Sequence, residues 1–340
     1  MEKILVLLST EQNGELGKHA RETIGAAKSL SHEFVLGVVG DLSEKAMKDL
    51  SQAGADHMLI VAGGDFNMSR YASDAYAGEQ IVRASGAVLV LAPANSRWSR
   101  ALPGICHRLE GRMDPQVTAL SQKDGAIYVT RWFYRQRIEA VLTRKCRPWF
   151  ITISAGSFPV WEGKGSEVKT SVERLNLTLP DTMKKSNVLS IKEPPTNQQT
   201  IKPDSPLLFV AGAGWTKKQA DGAVHQEEAE KLIFGFLDAS KASLGGTKSV
   251  VDLAGEGQKS LSLMSHLHQV GQTGSTPRHK KGIATCCHGE EPHVVGWRFI
   301  NERRAINLDP NCSWAHGKTD VLYVADAFQL VKKVNELLSR

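Results

Sequence analysis

At 340 residues, with 41% hydrophobic and 23% charged residues, the chain has the composition of an ordinary globular protein, long enough for two domains with separate cores. The opening apolar run from Ile4 to Leu8 is too short for a membrane span, and no signal or transit peptide is legible before it, which predicts a cytoplasmic protein rather than an integral membrane or mitochondrial matrix one. The net charge of +6 is uneven: residues 1–96 carry 8 Lys and Arg against 12 Asp and Glu, whereas residues 97–147 carry 11 against 4.

In chain order, Ile4-Leu5-Val6-Leu7-Leu8 reads as a buried strand. Leu16, Ala20, Ile24, Ala27 and Leu30 then recur at helical spacing, and Phe34-Val35-Leu36-Gly37-Val38-Val39 forms a second buried strand. A helix over 43–53 capped by Ser43, a strand at Met58-Leu59-Ile60-Val61, a helix over 71–85 and a strand at Ala87-Val88-Leu89-Val90-Leu91 repeat the rhythm. Wholly apolar strands that alternate with helices predict a mostly parallel sheet covered on both faces. None of the loops after these strands is a G-x-G-x-x-G or a Walker turn.

The basic excess contains Arg97-Trp98-Ser99-Arg100, Arg131-Trp132-Phe133-Tyr134-Arg135-Gln136-Arg137 and Arg144-Lys145-Cys146-Arg147. Arginines interleaved with aromatics can stack on single-stranded bases. No nucleic-acid fold motif accompanies them, so the expected role is a solvated or protein-docking face, with nucleic-acid binding as an alternative reading. Shorter strands follow over 116–120, 126–130 and 149–153. Residues 192–206 are polar and rich in proline, and the predicted division is a domain over 1–158, a connection over 159–206, a second domain over 207–324 and a closing helix over 325–340.

Leu207-Leu208-Phe209-Val210 restarts the strand pattern and runs into Gly212-Ala213-Gly214-Trp215. Gln269-Val270-Gly271-Gln272-Thr273-Gly274 follows, a turn with two glycines and several neutral hydrogen-bonding side chains. Ala305-Ile306-Asn307-Leu308-Asp309-Pro310 reads as a short strand running into an Asx turn. Five cysteines without a C-x-x-C argue against a disulfide framework. Cys286-Cys287 with His288 and His293 is a single cluster, where structural metal sites draw paired ligands from two places, so no metal is expected.

Taken in order, these motifs resemble the FAD-binding domain of the alpha subunit of electron-transfer flavoproteins. Residues 269–274 match that family's Gln-Val-Gly-Gln-Thr-Gly without a change, and residues 305–310 keep its Ala-Ile-Asn-x-Asp. Leu102-Pro103, Asp114, Tyr134, Arg147-Pro148 and Ser157-Phe158 resemble its amino-terminal domain more loosely. The resemblance is clearest over 250–310 and loosest before 150. It implies an α/β chain of two domains, each a mostly parallel sheet flanked by helices, the second doubly wound around FAD. Gln269, Gly271, Gln272, Thr273 and Gly274 would then face the flavin, with Thr273 near ring N5. Asn307 and Asp309 would face the adenosine, and Asp320 would lie near the adenine.

The family's Ser-Arg is Thr247-Lys248 here, which keeps a charge and loses the planar guanidinium. Its Gly-Ile-Ser-Gly-Ala-Ile-Gln-His has become Gly282-Ile283-Ala284-Thr285-Cys286-Cys287-His288-Gly289, with the histidine one place early. Lys248 and His288 are therefore the candidates to stabilise negative charge on reduction of the ring. The implied protein is an electron carrier, not an enzyme with catalytic residues of its own. It would pair with a beta-type subunit, take electrons from a flavin-dependent dehydrogenase and pass them singly to a membrane quinone oxidoreductase. A diverged paralogue that holds FAD weakly or without redox cycling is the alternative.

Overall fold

The early apolar runs become neighbouring strands because successive side chains of a strand point to opposite faces, and here both faces are covered. Ile4, Val6 and Leu8 enter one apolar cluster with Ile24, while Leu5 and Leu7 enter another with Ile81, Trp98 and Ile105. In a computed structural model the residues described are all except 1, 32, 135–137, 164–169, 191–200, 203–204, 256–260, 263, 266–267, 271–278, 286–296, 298–299 and 340. The chain divides into two units, 1–192 and 193–340.

The first unit runs β1 (Ile4–Ser9), α1 (Lys18–Leu30), β2 (Val35–Val39), α2 (Glu44–Ser51), β3 (His57–Val61), α3 (Gly64–Asn67), α4 (Tyr71–Ser85), β4 (Leu89–Pro93) and α5 (Ser96–Arg108). It continues through β5 (Arg112–Lys123), β6 (Ala126–Phe133), β7 (Ile138–Leu142), β8 (Trp149–Ile153) and β9 (Ser171–Arg174). These strands form one sheet in the order β7-β6-β5-β8-β4-β1-β2-β3-β9. The stretch from β5 through β8 to β9 is parallel, and β6 and β7 add an antiparallel extension at one edge. Ser43 caps α2 as the sequence predicts, its hydroxyl accepting from the Ala46 amide at 3.1 Å.

Two expectations change. The first unit extends past 158, because β9 returns to pair in parallel with β3, and Leu175, Leu177 and Leu179 pack on the same core. The basic segment is also far less of a surface than its composition suggests. Arg97 is buried, and its guanidinium donates to the fully buried Asp74 at 2.7 and 2.9 Å. Trp98 is buried as well, because α5 turns that face onto the sheet. Arg144 donates to buried Asp114 at 2.8 Å, Trp149 Nε1 donates to it at 2.9 Å, and Arg131 lies 3.5 Å away. Burial pushes the Asp114 carboxyl up, but the bonds from Arg144 and Trp149 and the nearby cations outweigh it and leave the group below its ordinary range. At Arg97, Trp98, Arg131 and Arg144 the pattern thus serves internal pairing, whereas Tyr134 and Lys145 are exposed and 135–137 lie outside the described residues.

The second unit contains β10 (Leu207–Ala211), α6 (Gln226–Ser240), β11 (Ser243–Gly246), α7 (Lys248–Gly255), β12 (Lys281–Thr285), β13 (Glu302–Asn307), α8 (Ser313–Lys318), β14 (Val321–Val324) and α9 (Ala327–Leu338). All five strands are parallel, in the order β11-β10-β12-β13-β14. The closing helix α9 belongs to this unit's core: Val331 is buried there, and Asn335 Nδ2 donates to the Leu232 carbonyl of α6 at 2.9 Å. Among the described residues no helix is long and apolar enough to cross a membrane.

Candidate functional site

In the second sheet the chain starts at β10, steps to β11 on one side, then crosses to β12, β13 and β14 on the other. Parallel sheets wound this way bind ligands beyond the carboxyl ends of their strands, next to the point of reversal. Of the residues singled out in the sequence that the structure describes, Lys248, Gln269, Asn307 and Asp309 fall at that edge.

At the reversal itself, the turn Ala213–Thr216 places Trp215 across the ends of β10 and β12. Its indole Nε1 donates to Thr285 Oγ1 at 2.7 Å, and the Thr285 hydroxyl donates to the Val210 carbonyl at 3.0 Å. Trp215 is 1% exposed and lies 4.6 Å from the Phe328 ring, centroid to centroid. Composition alone did not single out this tryptophan. A glycine-flanked aromatic directly after a buried strand was the available signal.

After β11, the Thr247 amide donates to the Ala211 carbonyl at 2.9 Å, and its buried hydroxyl faces the Val250 amide in the first turn of α7. Lys248 is exposed and bonded to Asp252 one turn on, so its charge is shared with a carboxylate on the same helix. Gln269 bridges to Gly246 at the end of β11, and the Val270 amide donates to the Gly246 carbonyl at 3.0 Å. Buried Val270 requires Gly245: a Cβ there would stand 2.4 Å from Val270 Cγ2. The turn predicted to meet the ring is therefore tethered at the carboxyl edge. Gly271, Gln272, Thr273 and Gly274, which continue it, lie outside the described residues, as do His288, His293 and the Cys286-Cys287 pair. Beside the tether, His268 is buried and its Nδ1 accepts from the Ser265 amide at 3.2 Å; burial pushes its pKa down and favours the neutral ring.

Asn307 ends β13 and is 1% exposed. Its Oδ1 accepts from the Asp309 amide at 2.9 Å, the Asx turn read from the sequence, and Asp309 Oδ1 accepts in turn from the Asn311 amide at 2.8 Å. The Asn307 Nδ2 atom is buried and has no partner among the described residues. A buried donor left in that state costs about 1–3 kcal/mol, which a bound acceptor recovers.

Asp320 does not join these residues. It precedes β14 at the amino edge, where it accepts from the Arg303 amide at 2.7 Å and from the Arg303 guanidinium at 3.2 Å. Arg304 pairs with Val321 and Asn307 with Val324. At about 3.3 Å per residue, Asp320 thus sits about 13 Å along the strands from Asn307. The acidic residue at the carboxyl edge is Asp326, which caps α9 by accepting from the Gln329 amide at 2.9 Å. Two aspartates flank a four-residue strand, and spacing alone did not say which end faces the ligand.

A parallel sheet that reverses its strand order, with polar side chains and a buried unsatisfied amide at its carboxyl edge, has the form in which α/β folds place a ligand site, and it follows another α/β unit in the chain. The comparisons with known proteins narrow the class. The family model described as "Electron transfer flavoprotein domain" matches residues 4–180, more than half of the chain, and the chain belongs to the electron transfer flavoprotein family. It is 26% identical to a protein named electron transfer flavoprotein subunit alpha from Clostridium acetobutylicum over 89% of this chain and 87% of that one. It is 23% identical to one of the same name from Thermoanaerobacterium thermosaccharolyticum, over 99% and 98% of the two chains. Identity to Protein FixB of Clostridium saccharobutylicum is 24%, over 89% and 86%. These identities mark a divergent member. A solved glycosyltransferase VinC in complex with DTDP aligns with a TM-score of 0.22 and 11% identity, a likeness that carries no argument.

The family is a flavin-associated one, and the residues present fit such a group where the structure allows a test. Asn307 Nδ2 is an orphaned buried donor at the edge where the ligand belongs. Among the described residues no cluster of three His, Cys, Asp or Glu is placed to hold a metal ion.

Proposed function

We propose that the chain is the alpha-type subunit of a heterodimeric electron-transfer flavoprotein and that its second unit holds FAD. The observation that carries this reading is Asn307, a buried carboxamide at the carboxyl edge of a five-stranded parallel sheet with its Nδ2 unsatisfied. When bound, FAD supplies one-electron chemistry, and the protein's part is to hold it, orient it and exclude water. Asn307 donates to the bound cofactor while its Oδ1 keeps the Asp309 backbone in place. Trp215 spans the ends of β10 and β12 beneath it. Gln269 and Val270 lead from the tether into the run that keeps the family's ring-side motif unchanged. A beta-type subunit completes the carrier. A flavin-dependent dehydrogenase donates electrons, a membrane quinone oxidoreductase accepts them, and the chain turns over no substrate of its own.

The test is to co-produce the chain with its cognate beta-type subunit and record the absorption spectrum of the purified complex. Bound FAD is expected, and a pure, folded complex without flavin absorbance overturns the reading. A second reading, a paralogue whose flavin does not cycle, is favoured by one observation: Lys248 is bonded to Asp252, which offsets the charge available to a reduced ring. Reduction of the bound flavin by a dehydrogenase and its reoxidation by a quinone reductase supports the carrier, and failure of both steps supports the paralogue.

A further inference from the structure

The first unit has a reversal of strand order of its own. From β1 the chain steps outward through β2 to β3, then returns to place β4 and β8 on the other side. A ligand is expected beyond the carboxyl ends of β1 and β4 for the same topological reason as in the second unit. Two cavities lie there. One, of about 420 Å³, is walled by the loop after β1, by Asp41 and Ser43 after β2, and by Asn67 after β3. The other, of about 200 Å³, shares Thr10, Glu11, Gln12 and Asn67 with it and reaches Asn95 and Arg97 after β4. The larger alone falls within the roughly 300–1,000 Å³ of small-molecule sites.

The walls are built, not left loose. The Ser43 amide donates to the Gly14 carbonyl at 3.0 Å and ties the β1 loop to the start of α2. The Asp41 carboxylate accepts from the Gly63 amide at 3.1 Å and from Asn67 Nδ2, joining the ends of β2 and β3. Gly40, at φ +112°, lets the Thr10 hydroxyl come in: a Cβ there would stand 2.2 Å from Thr10 Oγ1.

The chemistry of this lining is rich in acceptors. Asn67 gives its amide hydrogens to Asp41, and its Oδ1 is buried with no partner among the described residues. Glu11 and Asp41 contribute two carboxylates. Arg97, the cation in the lining, donates to Asp74 and, at 2.8 Å, to the Phe66 carbonyl. A phosphate here would meet two carboxylates and no glycine-rich cradle. A neutral ligand carrying several donors would satisfy Asn67 Oδ1 and both carboxylates at once.

We propose that these adjoining cavities bind a ribonucleoside, its sugar hydroxyls and an exocyclic amine donating to Glu11, Asp41 and Asn67 Oδ1. The site is confined to the first unit and does not rest on the flavin reading. Isothermal titration of the full chain in excess FAD, with adenosine as the probe, tests it. One saturable site is expected. AMP and 2′,3′-dideoxyadenosine should bind more weakly than adenosine, because one adds negative charge and the other removes the diol. Asn67→Leu should weaken adenosine by about tenfold or more, the effect of losing a buried acceptor. Gln12→Ala, an exposed loop change that threatens folding least, should weaken it by about threefold. The proposal is overturned if adenosine shows no binding at millimolar concentration, if AMP binds more tightly than adenosine, or if variants with unchanged melting bind adenosine as the natural chain does.

Discussion

Each sheet reverses its strand order beside its first strand, at β1 in one unit and at β10 in the other, and the two reversal points are finished in different ways. In the second unit Trp215 spans the ends of β10 and β12, bonded through Thr285 to the Val210 carbonyl. In the first, the crevice between β1 and β4 stays open, and its wall carries an unsatisfied Asn67 Oδ1. Among the unsatisfied buried atoms of the second unit is a donor at its carboxyl edge, Asn307 Nδ2, one strand beyond the reversal. The same winding thus leaves a spare donor at one carboxyl edge and a spare acceptor at the other. Topology fixes where a ligand can sit, and the polarity of a few side chains decides what it is.

Trp215 is the feature whose loss should do most. Trp215→Ala removes a fully buried indole and one of the two bonds at the Thr285 hydroxyl, and large-to-small changes of this kind cost about 3–5 kcal/mol. The expected result in thermal or urea unfolding is an early transition of the second unit alone, with the first unit melting as before. A single shifted transition for the whole chain would show that the two units do not answer separately.

In the first unit the counterpart is Asp114, held ionised by Arg144, Trp149 and Arg131. Its folded-state carboxyl lies below the ordinary value of 3.8. The stabilisation is therefore fully present above that value and is lost as pH falls through the lower folded one. Asp114→Asn is expected to cost about 2–3 kcal/mol near neutrality, from lost charge-assisted bonds, and to flatten the acid side of the stability curve. Urea midpoints across an acid pH series check both, and a variant that keeps the natural acid slope would assign that slope to another group.

Asn307 separates the donor edge from the acceptor edge most directly. Asn307→Asp keeps the acceptor that holds the Asp309 amide and removes the Nδ2 donor, and flavin affinity is expected to fall about tenfold to a hundredfold, about 1–3 kcal/mol. Fluorescence titration of the apoprotein complex with FAD measures it. An unchanged affinity would leave the orphaned amide without a ligand role.

Much of the fold was legible because the strands of the first unit's parallel core are apolar on both faces: helix 71–85 and the Ser43 cap stand where periodicity and capping chemistry put them. Strand β9 was not, since Ser171, Val172, Glu173 and Arg174 are all exposed and show no burial pattern to read. For that reason 159–206 looked like a connection. The inward-facing cations of the basic segment misled for another reason: their partners, Asp74 and Asp114, lie 23 and 30 residues away from Arg97 and Arg144, and only folding brings them together. The family resemblance read from the sequence was clearest over 250–310, whereas the family model matches 4–180. Short ligand motifs and whole-domain patterns sit in different halves of this chain.

The smallest expected effect makes the sharpest distinction, between the two aspartates that flank β14. Asp320 bonds only to Arg303 at the amino edge among the interactions described, and it is about half exposed. An exposed pair of this kind contributes about 0–1 kcal/mol, so Asp320→Asn should leave both melting and flavin content close to those of the natural chain. Asp326 stands at the carboxyl edge, where Ala325 donates to the Asn307 carbonyl at 3.1 Å and the Asp326 side chain starts α9. Asp326→Ala should cost the second unit about 1 kcal/mol through the lost cap and lower flavin retention as the Asn307 backbone loosens. Both variants remove a carboxylate, six residues apart on the two sides of β14, and Asp320→Ala beside them makes the truncation equal, so the remaining difference reads position along the strand. If Asp320→Asn loses flavin without loss of stability, the amino edge carries ligand contacts that the winding of this sheet does not place there.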